Sequence, residues 1–432
     1  MQRTISPGHR ASGSIRLPGD KSISHRYAML ASIAEGVSEI SNYSTGADCA
    51  STIECMKELG VEIERDGTRV IVHGVGLDGL KAPGKQLDAG NSGSTIRMLS
   101  GILAGQNFTS SIGGDESLSR RPMKRIMTPL EQMGARITAT NDEFPPLTIH
   151  GSKLKAIHYE PPMASAQVKS CLLLAGLYTE GNTSVTEPAP TRDHTERMLQ
   201  GFGYPVERNG STATVKPGGK LTAAKIDIPA DISSATFFMV AAAIAPGSDI
   251  TLTHVGINPT RIGVINILTL MGADISLGNE REVGGEPVAD IRVKHAPLKG
   301  INIPEDQVPL AIDEFPALLI AAACADGITV LTGAEELRVK ETDRIQAMAV
   351  GLTTLGIQCE PTDDGIVVHG GQLGGGEVES FHDHRIAMAF TVAALRASGP
   401  VTVNNCANVA TSFPNFAELA KSVGISLELI RS

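Results

Sequence analysis

The chain has 432 residues, a formal net charge of −10, 41% hydrophobic residues, 3% aromatics and no tryptophan. At roughly 150 residues per domain, this length predicts two or three domains, with enough Ala, Leu, Ile and Val for large cores. The acidic balance repels nucleic acid and anionic membranes, and few aromatics remain to stack on bases, so an anionic small molecule must be drawn by a local basic cluster.

The first residues, Met1 to Pro7, lack the apolar core of a signal peptide, and the longest apolar helix-like runs (Phe237 to Ala245, Ala317 to Ala325) are nine residues, so a cytoplasmic location is expected. The six cysteines (Cys49, Cys55, Cys171, Cys324, Cys359, Cys406) show no CxxC pair and no metal-finger spacing, the pattern of reduced structural thiols.

Along the chain, Asp20-Lys21-Ser22-Ile23-Ser24-His25-Arg26 opens an apolar helix, and a second helix ends at Leu59-Gly60-Val61. The alternation from Val61 to Val72 then predicts a hairpin turning at Asp66-Gly67. The helix ending recurs at Met133-Gly134-Ala135, Phe202-Gly203-Tyr204, Met271-Gly272-Ala273, Leu355-Gly356-Ile357 and Val423-Gly424-Ile425, and a second hairpin is predicted at Asp364-Gly365. Recurrence at intervals between 68 (356 to 424) and 84 (272 to 356) residues marks six repeats. Each repeat reads as strand, helix, strand, helix, which makes the fold class α/β, with helices buried against sheets. Six repeats divide into two lobes of three: residues 20–228, and residues 1–19 plus 229–432. The first strand is expected to complete the C-terminal lobe, and a cleft lined by helix N-termini from both lobes is the expected ligand site.

The second helix of each repeat starts differently in every copy. After Lys21-Ser22 come Gly90-Asn91-Ser92-Gly93-Ser94-Thr95-Ile96-Arg97, Met163-Ala164-Ser165-Ala166-Gln167-Val168-Lys169, Ala230-Asp231-Ile232-Ser233-Ser234, Ile312-Asp313-Glu314-Phe315-Pro316 and His382-Asp383-His384-Arg385. Helix N-termini attract anions through unpaired N–H groups and the positive end of the dipole, so six of them suit one anionic ligand site. Lys21 and Arg26 oppose the dipole at a helix start, a local conflict that points to function rather than to a solvated face. The Gly90–Thr95 loop fits a plain turn and N-cap as well as an anion cradle. Arg120-Arg121-Pro122-Met123-Lys124-Arg125 fits a solvated charge run unless an anion must be clamped. Asp313-Glu314 and Lys340-Glu341-Thr342-Asp343-Arg344 place carboxylates beside cations, as proton transfer in a cationic pocket requires, and each alone fits a cap or surface ion pair. A metal at His382-Asp383-His384-Arg385 lacks further ligands at regular spacing.

Taken together, Leu17 to Arg26, Gly90-Asn91-Ser92-Gly93, Arg121-Pro122, Leu337 to Arg344 and Asp383-His384-Arg385, in that order, closely resemble the EPSP synthase family of enolpyruvate transferases over essentially the whole chain. The resemblance implies a two-lobed inside-out α/β barrel that moves the enolpyruvyl group of phosphoenolpyruvate to the 5-hydroxyl of shikimate 3-phosphate by addition and elimination. It implies that Lys21, Ser22, Arg26, Ser165, Gln167, Asp313 and Lys340 hold shikimate 3-phosphate, and that Lys21, Gly93, Arg121, Gln167, Arg344 and Arg385 hold phosphoenolpyruvate. Asp313 then resembles the base for the hydroxyl and Glu341 the proton donor and acceptor at the methylene, with Lys21 completing the catalytic set. No metal or organic cofactor is implied, and without an obvious apolar stripe a monomer is expected. Gly93 matches members that glyphosate inhibits, whereas alanine marks tolerant ones, so sensitivity is implied.

Two segments depart from the family. Many members carry a lysine before the Thr-Phe-Pro run, where this chain reads Ala410-Thr411-Ser412-Phe413-Pro414, which puts one phosphoenolpyruvate contact in doubt. Thr191-Arg192-Asp193-His194 replaces a serine-containing loop, and Arg192 is expected to supply the missing phosphate contact. Two rival readings are the sister transferase acting on UDP-N-acetylglucosamine and a non-catalytic anion-binding protein on the same scaffold. The first typically has Lys-Asn in place of Lys21-Ser22 and a loop cysteine, whereas no cysteine lies between Cys55 and Cys171. The second is disfavoured by Asp313 and Glu341 persisting beside the basic residues.

Overall fold

The computed structural model describes residues 1–430. Contacts divide the chain into an N-terminal unit, Gly19–Ile228 with Glu282–Glu286, and a C-terminal unit, Met1–Pro18 with Pro229–Arg281 and Pro287 onward. The N-terminal unit holds α1 (Lys21–Ser32), α2 (Ala47–Glu58), α3 (Gly93–Ala104), α4 (Lys124–Gln132), α5 (Ala166–Gly176) and α6 (His194–Gly201). The C-terminal unit holds α7 (Ile232–Ile244), α8 (Gly263–Leu270), α9 (Phe315–Cys324), α10 (Arg344–Thr354), α11 (His384–Ala393) and α12 (Phe416–Ser422).

The first three repeats and the fifth run as an inner helix, a strand, an outer helix, a hairpin and a short strand that leads to the next inner helix; the fourth lacks the short strand, and the sixth ends in a single strand after its outer helix. In the N-terminal unit that short strand pairs in parallel with the sheet of the following repeat: Leu87–Asp88 on Thr109–Gly113, and His158–Tyr159 on Thr183–Thr186. The last, Lys225–Asp227, returns to Glu35–Ser41 of the first repeat and closes the set of three. In the C-terminal unit the start of the chain performs the closure. Ser12–Arg16 pairs in parallel with Asp249–Gly256, and Gln2–Ile5 lies antiparallel between Val401–Asn404 and Leu427–Ile430.

The outer helices end in one local device repeated six times. Gly60, Gly134, Gly203, Gly272, Gly356 and Gly424 all adopt φ between 81° and 100°, a region that costs a side chain about 1–2 kcal/mol. The residue after each donates its N–H back to the last full turn, as in Val61 to Met56 O (3.1 Å), Tyr204 to Leu199 O (2.8 Å) and Ile357 to Leu352 O (2.9 Å). This is the Schellman bond pattern, and the apolar residue that completes it returns the chain to the core. The hairpin turns sit one residue away from the expected Asp-Gly pairs in opposite directions. Asp66 faces Arg69, so Gly67-Thr68 turn, with φ +60° at Gly67; Thr362 faces Gly365, so Asp363-Asp364 turn. In the first, the twist-matched turn takes glycine at its first central position, which moves the aspartate into the strand.

Inner helices α1, α3, α5, α7, α9 and α11 are buried along almost their whole length, and α7 is buried at every residue. Sheet or helix covers every side, so that even polar residues such as Ser24, His25 and Arg26 of α1 are buried. Packing is close enough to demand glycine: a Cβ on Gly101 of α3 would lie 2.1 Å from the Cys171 carbonyl oxygen of α5. Two substitutions separate the devices. Gly356→Ala, with open space around its Cβ, is expected to cost about 1 kcal/mol through φ alone. Gly101→Ala is expected to cost more, about 3 kcal/mol, because backbone must move. Urea denaturation of both variants checks the order.

Candidate active site

Because the inner helices are buried elsewhere, their first turns are almost their only accessible parts. The residues of these helices that are not buried are Lys21 and Ser22 of α1, Ser94 and Arg97 of α3, Ala166 and Gln167 of α5, Arg385 of α11, and Cys324 at the far end of α9. Five of these helices are N-capped by side chains that accept from the first turn: Asp20 from Ile23 N (2.9 Å), Ser92 from Thr95 N (3.0 Å), Ser165 from Val168 N (3.3 Å), Asp231 from Ser233 N (2.8 Å) and Asp383 from Arg385 N (2.9 Å). These caps satisfy part of each terminus and fix where the next side chains leave it.

In the N-terminal unit, Lys21 Nζ sits 2.5 Å from Asp48 Oδ2. Arg192 donates to Ser22 Oγ at 3.0 Å, which brings the departing loop onto the α1 terminus. Arg26 lies beneath, buried, and donates to Thr195 Oγ1 (2.8 Å), Ser22 O (2.9 Å) and Ser170 Oγ (3.1 Å), tying α1 to α5 and α6. Around α3, Gly93 faces two guanidinium groups: its Cβ would lie 3.1 Å from Arg97 Nη1 and 3.4 Å from Arg121 Nη1. Arg121 donates to Asn91 Oδ1 (2.9 Å) and Ser117 Oγ (3.2 Å). Gln167 accepts from Arg97 Nη1 (2.9 Å) and donates to Ser94 Oγ (3.0 Å), joining α5 to α3.

In the C-terminal unit the centre is Arg344, the first residue of α10 and 1% exposed. It donates through Nε to Asp383 Oδ2 (2.9 Å), through Nη2 to Glu341 Oε2 (2.7 Å), and through Nη1 to Asp313 Oδ1 (3.4 Å). Burial works against the charged form, but Asp383, Glu341 and Asp313 outweigh it and hold the guanidinium proton more firmly than usual. Lys340 Nζ lies 3.6 Å from Asp313 Oδ1, and Arg385 Nη2 lies 3.9 Å from Asp313 Oδ2, so three cations converge on one carboxylate.

Several expectations change. The α7 terminus does not open to a ligand. Arg261 occupies it, donating to Asp231 Oδ1 (3.0 Å) and Ser233 Oγ (2.7 Å), and Ser233 bonds to Glu314 in turn. The α9 terminus has no side-chain cap and follows a 3-10 turn, Pro309–Glu314, that presents Asp313. Of the basic run, only Arg121 joins the cluster, while Arg120, Lys124 and Arg125 are exposed. Thr411, at the departing lysine position, donates its hydroxyl to Asn408 O (2.7 Å). The cysteines are unpaired thiols, and burial pushes Cys49 and Cys55 up to about 12. Sequence reasoning assigned no role to Arg97, Asp383 or Asp48; a cation inside an apolar helix was the available signal for the first.

Each unit therefore presents cation-rich helix termini with paired carboxylates at hand, the equipment of a transferase for multiply charged anions. Residues 5–419 match the model of the family described as EPSP synthase (3-phosphoshikimate 1-carboxyvinyltransferase). The chain is 63% identical over 429 residues to the 3-phosphoshikimate 1-carboxyvinyltransferase of Methylococcus capsulatus, covering 99% of this chain and 98% of that one. It is 60% identical to that of Alkalilimnicola ehrlichii, covering 99% and 96%. The structure of EPSP synthase from Acinetobacter baumannii matches it with a TM-score of 0.92 at 55% identity, covering both chains in full. The chain belongs to the EPSP synthase family and has its two-lobed inside-out α/β fold.

Two buried histidines set an acid limit on this architecture. His384, beside Arg385, is pushed down to about 4 by burial and then by that arginine, and His25 is pushed down to about 3 by burial and then by Lys21. Both folded values lie below the ordinary 6.5, so the unfolded chain binds more protons and stability falls as pH drops from 6.5 toward 4. Each group contributes a slope of about 1.4 kcal/mol per pH unit there. His384→Gln is expected to lose less stability than the parent between pH 6.5 and 4.5, read from urea midpoints.

Proposed function

We propose that the two clusters carry out this family's reaction, transfer of the enolpyruvyl group of phosphoenolpyruvate to the 5-hydroxyl of shikimate 3-phosphate, which is the activity of this chain. In this reading shikimate 3-phosphate is held by Lys21, Ser22, Arg26, Ser165, Gln167, Arg192, Asp313 and Lys340. Phosphoenolpyruvate is held by Lys21, Gly93, Arg121 and Gln167, and by Arg344 and Arg385. Lysine and arginine suit these ligands because charge-assisted bonds to phosphate and carboxylate are about twice as strong as neutral ones.

The observation that carries the chemistry is that one guanidinium, Arg344, binds both Asp313 (3.4 Å) and Glu341 (2.7 Å). Asp313 takes the proton of the 5-hydroxyl as its oxygen attacks the enol carbon, and Glu341 delivers a proton to the methylene carbon. The resulting tetrahedral ketal loses phosphate as Glu341 takes a methyl proton back, and the cations stabilise the charge that develops. Arg344 is closed off by its three carboxylates, so reaching phosphoenolpyruvate requires one of them to yield. A cytoplasmic location fits small soluble anionic substrates, and a monomer fits a sequence without an apolar stripe. No helix among the described residues is long and apolar enough to cross a membrane.

Phosphate release from phosphoenolpyruvate is expected with shikimate 3-phosphate and not with UDP-N-acetylglucosamine, and Asp313→Ala is expected to lower its rate by about 100-fold or more. Release with the second acceptor, or full activity in Asp313→Ala, would count against the assignment. Arg192→Ala is expected to raise the KM for shikimate 3-phosphate by about tenfold, the scale of one charge-assisted bond, while leaving that for phosphoenolpyruvate unchanged. Millimolar glyphosate is expected to inhibit the parent and to inhibit Gly93→Ala less, since the added methyl meets Arg97 and Arg121. Inhibition curves for the two proteins decide this.

A further inference from the structure

Beside Gly93, at the start of α3, runs a buried chain of hydrogen bonds that the reaction itself does not use. His25 Nδ1 lies 2.7 Å from Thr52 Oγ1, Thr52 Oγ1 lies 2.8 Å from Thr95 Oγ1, and Thr95 Oγ1 donates to Ser92 Oγ at 2.8 Å. His25, Thr52 and Thr95 are 0% exposed and Ser92 is 1% exposed. The chain links α1, four residues past Lys21, through α2 to α3, and it ends on the cap that accepts the Thr95 N–H one residue before Gly93.

Its direction follows from counting protons. The single hydroxyl proton of Thr95 goes to Ser92, so Thr95 accepts from Thr52; the single proton of Thr52 is then used, so Thr52 accepts from His25. The imidazole therefore carries its proton on Nδ1. Nε2 of His25 is buried without a hydrogen-bond partner, which a bare acceptor tolerates better than an N–H would. Burial, with Lys21 adding to it, keeps the ring neutral.

We propose that His25, Thr52 and Thr95 are positioning residues for phosphoenolpyruvate, a one-way relay that fixes the first turn of α3, with Gly93 and Arg97, against the α1 terminus that carries Lys21 and Ser22. A buried chain with a single proton order favours one arrangement of the helices it joins, and a small misplacement of substrate groups is costly in rate. The inference rests on the phosphoenolpyruvate assignment made above.

Thr95→Val removes the hydroxyl while keeping the shape. It is expected to raise the KM for phosphoenolpyruvate by about tenfold, to leave the dissociation constant of shikimate 3-phosphate within about twofold, and to be rescued by Thr95→Ser. Thr52→Val, which breaks the relay at its midpoint on α2, is expected to give the same signature and serves if Thr95→Val does not fold. Ser100→Ala removes another buried hydroxyl of α3, bonded only within the helix to Ile96 O at 2.6 Å. It is expected to lose stability without changing either constant. Arg121→Ala, measured in parallel, separates the two levels. If it raises the phosphoenolpyruvate KM while folded Thr95→Val and Thr52→Val keep the parental value, the relay is overturned. If Arg121→Ala itself leaves that KM unchanged, the pocket assignment fails and the relay's role with it.

Discussion

A helix covered on every side can meet solvent only at an end, and this constraint organises the chemistry of the molecule. The inner helices are buried almost throughout because sheets and neighbouring helices leave them no wet face, and packing as tight as that of Gly101 on the α5 backbone leaves little room for solvent along their length. Their accessible residues thereby gather near their starts, where N–H groups and the helix dipole favour anions. The recurrent glycine endings of the outer helices serve the same plan, returning the chain to the sheet within three residues each time.

Crowding lysine and arginine at helix starts opposes the dipole, and each unit settles the conflict with its own acceptors. Asp48 holds Lys21, Asn91 holds Arg121, and Asp383, Glu341 and Asp313 surround Arg344. These partners keep the cations ordered, since an unpaired buried charge costs several kcal/mol. They also set a threshold: an incoming ligand must compete with carboxylates already in place, which a phosphate dianion can do and a neutral sugar cannot.

The features legible in the sequence were those fixed locally. A hydrophobic residue followed by glycine and an apolar residue specifies a helix C-cap within a few residues, and a Ser or Asp before an apolar run specifies an N-cap, so the repeats and the helix starts could be read directly. Turn position depended on strand register, and both Asp-Gly readings moved by one residue. That the α7 terminus is filled by Arg261 depends on a residue 30 positions away. Asp383 was visible inside a motif, but its grip on Arg344 spans 39 positions. The relay from His25 to Ser92 crosses three helices through threonines that, taken singly, look like ordinary core residues.

The two units also differ in how their sets of three are closed. Gly19–Ile228 contains every strand of its three sheets, with Lys225–Asp227 supplying the last pairing. In the other unit, Gln2–Ile5 waits between strands at Val401–Asn404 and Leu427–Ile430. Synthesis from the N-terminus therefore delivers a closable N-terminal unit once Lys225–Asp227 has left the ribosome, while Gln2–Ile5 waits for Val401–Asn404 and Leu427–Ile430 to emerge. That strand is only four residues long and lies inside its sheet, and its partners are those farthest from it in sequence, so its pairings are among the least local of the fold.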